Sequence, residues 1–130
     1  MPENKTTILV VDDEEYIRRL ITLILNDAGY EVVTAASGKE ALERLADPGI
    51  NLVLLDIRMP DMDGFQTLEL IRKQYAVPVI MVTGVGEVTS VSDALSIGAD
   101  DYVKKPFQAR EMIARIQAKL RRNKELHAET

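Results

Sequence analysis

Short apolar runs alternate with amphipathic segments along most of the chain. The first run, Thr7 to Val11, is rich in β-branched residues and predicts a strand. The segment from Tyr16 to Ala28 carries apolar residues at helical spacing, and Gly29 is suited to end that helix. The same alternation predicts strands at 7–11, 30–34, 52–55, 77–82 and 101–104, with helices at 16–28, after Ser37, after Gly64, at 90–97 and from about residue 108.

The central apolar runs lack the polar alternation of a half-exposed strand, which is typical of a parallel sheet covered on both faces. Alternating strands and helices therefore predict an α/β fold with a doubly wound, five-stranded parallel sheet and five helices. We expect the strand order 2-1-3-4-5 in a three-layer sandwich of the flavodoxin-like type. Residues 1–121 form one predicted domain, and residues 122–130 a helical extension or the start of a linker to an output domain.

The composition of the chain excludes several kinds of functional site and partner. The chain has no cysteine, which excludes disulfides, thiol nucleophiles and cysteine metal sites. Its formal net charge of −5 argues against direct nucleic-acid binding by this segment. No apolar stretch approaches the roughly 18 residues of a membrane span, and the short polar N-terminus lacks a signal-peptide core. We therefore expect a soluble, cytoplasmic protein.

Polar side chains follow four of the five predicted strands. Asp12 and Asp13 follow the first strand, Asp56 the third, Thr83 the fourth and Lys105 the fifth. Each one alone would most simply be a solvated loop residue. Because parallel strands all end at one edge of the sheet, where ligands bind, we expect these five side chains to converge on a single pocket.

Such a pocket suits phosphoryl chemistry. Crowded carboxylates repel one another unless a cation lies among them, and an all-oxygen site suits Mg²⁺. Asp56, on the central strand, is the best candidate for a nucleophile that attacks phosphorus and forms an acyl phosphate. Asp12 and Asp13 would hold the metal, whereas Lys105 and Thr83 would bind phosphoryl oxygens.

Four motifs carry a family resemblance: VDDEE at 11–15, LLDIRMPDMDG at 54–64, VTG at 82–84 and GADDYVKKPF at 98–107. Together they resemble the receiver domain of two-component response regulators, of the chemotaxis-regulator-like kind, over about residues 7–121. The resemblance implies a phosphorylation-dependent signalling switch that turns over no outside substrate and only catalyses its own phosphotransfer and dephosphorylation.

The resemblance also implies roles for single residues. Asp56 would accept a phosphoryl group from a sensor histidine kinase or a phosphotransfer protein. Mg²⁺ would be bound directly by Asp13, Asp56 and the backbone carbonyl of Arg58, and by Asp12 through water. Thr83 would act together with Tyr102 as a switch pair, the hydroxyl moving toward the phosphoryl group while the ring turns inward.

Two further expectations, a cis peptide bond and a homodimer, follow from the resemblance, and a third, a mobile loop, follows from Gly84, where the family more often has alanine. The Lys105–Pro106 peptide bond would be cis, which proline makes accessible. The glycines of Gly84-Val-Gly86 would make the loop after Thr83 mobile. A homodimer would form through the predicted fourth helix, the fifth strand and the last helix, where one subfamily places salt bridges at positions matching Asp100, Asp101, Arg110, Glu111 and Arg115.

Two other functions remain as alternatives. A Mg²⁺-dependent aspartyl phosphatase of the haloacid dehalogenase type needs a second Asp two residues after the nucleophile, and Arg58 stands there. An FMN-binding flavodoxin-like module needs a hydroxyl- and glycine-rich phosphate loop after the first strand, where residues 12–15 are all acidic instead.

Overall fold

The computed structural model describes residues 5–84 and 98–128. Strands and helices alternate over these ranges as the sequence predicts. We label the strands β1 to β5 and the described helices α1 to α4. They are β1 (Thr7–Val11), α1 (Glu15–Asp27), β2 (Glu31–Ala35), α2 (Gly38–Leu45), β3 (Ile50–Asp56), α3 (Gly64–Gln74), β4 (Val79–Thr83), β5 (Asp101–Lys104) and the C-terminal helix α4 (Ala109–Ala128).

All five strands form one parallel sheet in the order β2-β1-β3-β4-β5, which confirms the predicted strand order. The helix predicted at 90–97 lies outside the described residues, as does the loop after Gly84. The prediction of five helices is therefore confirmed for the four that are described. The C-terminal helix continues past residue 121 to Ala128, and a domain boundary near residue 121 stays a prediction.

The core lies in two layers, one on each face of the sheet. Alternate residues of β3 point to opposite faces, so that Leu52 and Leu54 pack with α1 and α4 whereas Val53 and Leu55 pack with α2 and α3. All four are at most 1% exposed. Burying a side chain of this size stabilises the fold by about 1.5–3 kcal/mol, which is why a central strand can be apolar on both faces.

Helix ends follow local signals in the sequence. Ser37 caps α2, its hydroxyl accepting a hydrogen bond from the Glu40 amide at 3.1 Å, as predicted. The Glu40 carboxylate, however, accepts from the amide of Ala36 at 2.7 Å instead of returning to Ser37. At the start of α3, Asp63 and Gln66 form a reciprocal capping box that the sequence reading had missed.

Candidate functional site

The carboxyl edge of the sheet gathers the predicted site residues. Asp12 follows β1 directly, Asp56 and Thr83 are the last residues of β3 and β4, and Lys105 follows β5. Asp12, Asp56 and Thr83 are only 2%, 5% and 1% exposed. Asp13 is exposed, and Lys105 is half-buried. Buried charges at strand ends are costly, so their concentration at one edge indicates a site.

Three carboxylates meet at this edge. One oxygen from each of Asp12, Asp13 and Asp56 lies within 4.8 Å of the others. The ammonium group of Lys105 donates to Asp56 Oδ1 at 3.0 Å and lies 3.5 Å from Asp12 Oδ2. One positive charge cannot balance three negative ones. The donor set, made only of hard oxygen ligands with a net negative charge, fits a Mg²⁺ ion.

Crowding and burial change the acidity of the central carboxyl group. Burial first, and then the negative charge of Asp12, raise the pKa of Asp56 to about 6, against the opposing effect of the hydrogen bond from Lys105. Burial alone would lower the pKa of Lys105, but its hydrogen bond to Asp56 and the nearby carboxylates raise it overall. Asp56 is therefore mostly ionised at neutral pH and Lys105 fully charged.

The loop after Asp56 folds back tightly onto the strand end. The Gly64 amide donates to the carbonyl of Ile57 at 2.8 Å. A Cβ at Gly64 would collide with the Asp56 carbonyl oxygen and lie 2.7 Å from the Ile57 Cα, so only glycine fits this close approach. Asp13 and Arg58 line the cleft in front of this loop. The Arg58 carbonyl as a metal ligand stays a prediction.

Thr83 and Tyr102 lie on the same face of the sheet. Thr83 pairs with Lys104, and Met81 pairs with Tyr102, on the neighbouring strands β4 and β5. Since side chains alternate along a strand, those of Thr83 and Tyr102 project to one side, one step apart. The Lys105 amide donates to the Thr83 carbonyl, and the Lys105–Pro106 bond is cis, as the resemblance implied.

Four of the five charges expected at a dimer interface, those of Asp100, Asp101, Glu111 and Arg115, are paired within the chain. Arg115 Nη1 lies 2.9 Å and 3.1 Å from the two carboxylate oxygens of Asp101, and its Nε lies 3.2 Å from Glu111. Its guanidinium carbon also lies 5.7 Å from the centre of the Tyr102 ring. Asp100 pairs instead with Arg72, at 2.8 Å. Whether these groups exchange partners between two copies stays a prediction.

The sequence analysis did not identify Arg18 as a residue near the site. Arg18, in the second turn of α1, donates from Nη1 to the backbone carbonyl of Asp12 at 2.8 Å. In the sequence it is one of two adjacent arginines on an amphipathic helix, and helical spacing alone does not say which of the two reaches back to β1. Only the position of α1 against the sheet distinguishes them.

Comparisons with known proteins agree with this geometry. A family model described as the response regulator receiver domain matches residues 8–117. The probable transcriptional regulator ycf27 of Cyanophora paradoxa is 49% identical over 122 residues, which cover 94% of this chain and 51% of that protein. The regulatory protein VanRc of Enterococcus gallinarum is 44% identical, covering 88% of this chain and 50% of its own length.

Solved structures agree as well. The receiver domain of NtrX from Brucella abortus superimposes with a TM-score of 0.85 at 39% identity, covering 88% of this chain and 98% of that one. A response regulator receiver domain protein from Clostridium thermocellum gives a TM-score of 0.89 at 34% identity, covering 93% and 98% of the two chains.

The chain belongs to the response regulator receiver domain family, and its role is phosphorylation-based signalling. The relatives named above are regulators, in agreement with a regulatory domain. The chain spans about half the length of the curated relatives it matches. Within residues 5–84 and 98–128, every helix is too short or too polar to cross a lipid bilayer.

Proposed function

We propose that Asp56 is the phosphoryl acceptor of this receiver domain. The observation that carries the proposal is the convergence of three carboxylates within 4.8 Å, with the ammonium group of Lys105 bonded to the central one. Asp56 is buried at the end of the central strand, and its neighbours Asp13, Ile57 and Arg58 line a cleft beside it. A nucleophile held in this way needs little reorganisation to meet an incoming phosphoryl group.

In the reaction, a carboxylate oxygen of Asp56 forms a bond to phosphorus while the phosphorus–nitrogen bond of a donor phosphohistidine breaks. The electron pair of that bond stays on the departing imidazole. Lys105 would pair with a phosphoryl oxygen, and Thr83 would donate a hydrogen bond to another. Asp12, Asp13, Asp56 and the Arg58 carbonyl would hold Mg²⁺, which when bound supplies positive charge for the phosphoryl oxygens.

The switch would be a population shift. Phosphorylation adds charge beside Thr83, and the hydroxyl moving toward it would leave space on the face of the sheet that Tyr102 shares. Turning the Tyr102 ring inward would then alter the surface around β5. The phosphoryl group can shift this equilibrium only by the free energy with which it prefers the inward state.

The family, and the share of its relatives' length that this chain spans, suggest which partners it has. We propose a sensor histidine kinase or a phosphotransfer protein as the phosphoryl donor, in the cytoplasm. Because the chain spans about half of its curated relatives, we also propose an output domain joined through the C-terminal helix. A homodimer through the surface of β5 and α4 would use Asp101, Glu111 and Arg115, which are now paired within one chain.

The test is labelling by a small phosphodonor, acetyl phosphate, with Mg²⁺. We expect the wild-type protein to gain one phosphoryl group per chain and Asp56→Asn to gain none, since an amide oxygen is too weak a nucleophile. Intact-protein mass spectrometry at short times measures the label directly. Chelation of Mg²⁺ should reduce labelling of the wild type to background.

Asp61→Asn is the matched control. It makes the same chemical change five residues later in the same loop, at an exposed position with a φ of 69°, which asparagine tolerates. We expect this variant to be labelled like the wild type. Full labelling of Asp56→Asn, or loss of labelling in Asp61→Asn alone, would contradict the assignment of the acceptor.

A further inference from the structure

Asp12 is held by hydrogen bonds on three sides. Its amide donates to the carbonyl of Ala35 at 3.1 Å. Its Oδ1 accepts from the amide of Glu14 at 2.9 Å, and its backbone carbonyl accepts from Arg18 Nη1 at 2.8 Å. The remaining oxygen, Oδ2, faces the Lys105 ammonium group at 3.5 Å, and one carboxylate oxygen of Asp12 lies within 4.8 Å of one from each of Asp13 and Asp56. The residue is thus oriented with one oxygen directed into the site.

The bond from Arg18 acts on both acidic residues of the loop. The carbonyl that it holds belongs to the peptide group joining Asp12 to Asp13. Any change in ψ of Asp12 or φ of Asp13 that the other angle does not cancel moves one carboxylate relative to the other, and holding this planar group restrains both angles. The strand pairing of β1 ends at Val11, which leaves this carbonyl beyond the sheet's own hydrogen-bond ladder.

We infer that Arg18 is a positioning residue for the cation site, because it fixes the peptide plane that sets the separation of the Asp12 and Asp13 carboxylates. This inference rests on the proposed function of that site. Arg18 is not one of the three carboxylates that would hold the cation, and it would act on them through the Asp12 carbonyl. Residues that orient ligands in this way commonly change metal affinity by about 10–100-fold when they are removed.

The sign of the effect separates positioning from simple electrostatics. Removing a positive charge near three carboxylates makes the site more negative, which on its own would strengthen Mg²⁺ binding. Releasing the Asp12–Asp13 peptide group would weaken binding, since the ligands would have to be ordered again each time the cation binds. A loss of affinity in Arg18→Met therefore cannot come from the change in net charge.

The neighbouring arginine provides a matched control. Arg19 pairs with Glu15 at 2.8 Å on the outer surface of α1, where their side chains are 77% and 66% exposed. Arg19→Met removes the same charge one residue away. Isothermal titration of Mg²⁺ alone into the 130-residue protein measures the dissociation constant for each variant without any phosphodonor.

We expect Arg18→Met to raise the Mg²⁺ dissociation constant about tenfold and Arg19→Met to leave it within about twofold of the wild type. Arg18→Lys, which can still donate one hydrogen bond to the carbonyl, should recover part of the loss. In NMR spectra without metal, the carbonyl carbon of Asp12 should shift in Arg18→Met but not in Arg19→Met.

The outcomes distinguish this inference from the proposed function. If the wild type binds Mg²⁺ and Arg18→Met binds it equally well or more tightly, the role of Arg18 is wrong while the site stands. If the wild type binds no Mg²⁺, the proposed cation site is wrong and the role of Arg18 falls with it. Should Arg18→Met fail to fold, Arg18→Gln, whose side chain is too short to reach the carbonyl, carries the same expectation.

Discussion

Among the described residues, three carboxylates at the carboxyl edge of the sheet share the Lys105 ammonium group, whereas at the amino edge each nitrogen of the Arg72 guanidinium has a partner. Arg72 donates to the carbonyls of Gly98 and Val77 at 2.9 Å and 2.7 Å and to Asp100 at 2.8 Å. Asp100 also accepts from the amide of Val79. Within residues 5–84 and 98–128, the charges of Arg72 and Asp100 at the amino edge pair with each other, whereas at the carboxyl edge three carboxylates surround one ammonium group.

This difference separates a structural charge cluster from a functional one. The Arg72 cluster joins the end of α3 to the starts of β4 and β5, and each of its charges stabilises the fold. The carboxyl edge retains uncompensated negative charge, which costs stability until a cation or a proton arrives. Binding of a cation at the carboxyl edge would restore this lost stability. Removing a charge should therefore stabilise the fold at the carboxyl edge and destabilise it at the amino edge.

The largest expected effect concerns Asp56 and pH. In the unfolded chain its pKa is about 4. In the folded protein burial raises the pKa to about 6, so between these values the folded state holds more protons and stability falls as pH rises. The full cost, up to about 3 kcal/mol, applies above pH 6. Without Mg²⁺, Asp56→Asn should therefore be more stable than the wild type at pH 8 and equal to it near pH 4.

Urea denaturation of both proteins in a chelator at the two pH values measures this difference. Adding Mg²⁺ at pH 8 should stabilise the wild type and leave Asp56→Asn nearly unchanged, because the variant lacks the central carboxylate. A wild type that matches or exceeds Asp56→Asn in stability at pH 8 without metal would show that the carboxyl edge is not electrostatically strained.

The next largest effect should come from the amino edge, with the opposite sign. Arg72→Met leaves Asp100 and three carbonyls without their charged partner, and we expect it to destabilise the fold by about 2 kcal/mol at pH 7. Lys73→Met, an exposed change in the same helix turn, should cost little. Urea denaturation measures both. Mg²⁺ affinity should be unchanged in Arg72→Met, and a weakened Mg²⁺ site would show that the two edges are coupled.

The smallest effect concerns Arg115, whose cluster lies at strand β5, the last strand in the order of the sheet. Arg115→Met removes the ion pairs to Asp101 and Glu111 and the stacking on the Tyr102 ring, and we expect a cost of about 0.5–1 kcal/mol. The Tyr102 ring resonances should shift, since the cation above the ring is gone. Arg110→Met, also exposed on α4, is the control in which they should not.

The strands could be predicted from the sequence because burial on both faces requires a continuous apolar run, which is visible in the sequence itself. The run Leu52 to Leu55 is apolar on both faces, and this pattern predicts a central strand with no knowledge of its neighbours. The convergence of Asp12, Asp56, Thr83 and Lys105 followed from one rule, that parallel strands end at a common edge. The structure extends β3 to include Asp56 and buries that carboxylate, where the sequence suggested a loop.

Long-range contacts of single side chains could not be predicted, because no local sequence pattern indicates them. Arg18 and Arg19 are adjacent and chemically identical, yet one holds the Asp12 carbonyl and the other forms an exposed ion pair. Likewise, Arg115 was recognised as a charge on the last helix, but its stacking on Tyr102 depends on how α4 crosses the edge of β5. Such contacts depend on packing angles between elements, which hydrophobic periodicity does not encode.

The sequence by itself determined the order of elements, the parallel sheet and the group of residues brought to its carboxyl edge. Apolar runs indicate the buried strands, and the alternation of strands with helices indicates that the strands are parallel. Only the tertiary structure decided the charge balance at that edge, the raised pKa of Asp56 and the selection of Arg18 over Arg19. These depend on distances of a few ångströms between residues far apart in the chain, and electrostatic and hydrogen-bond energies change steeply over such distances.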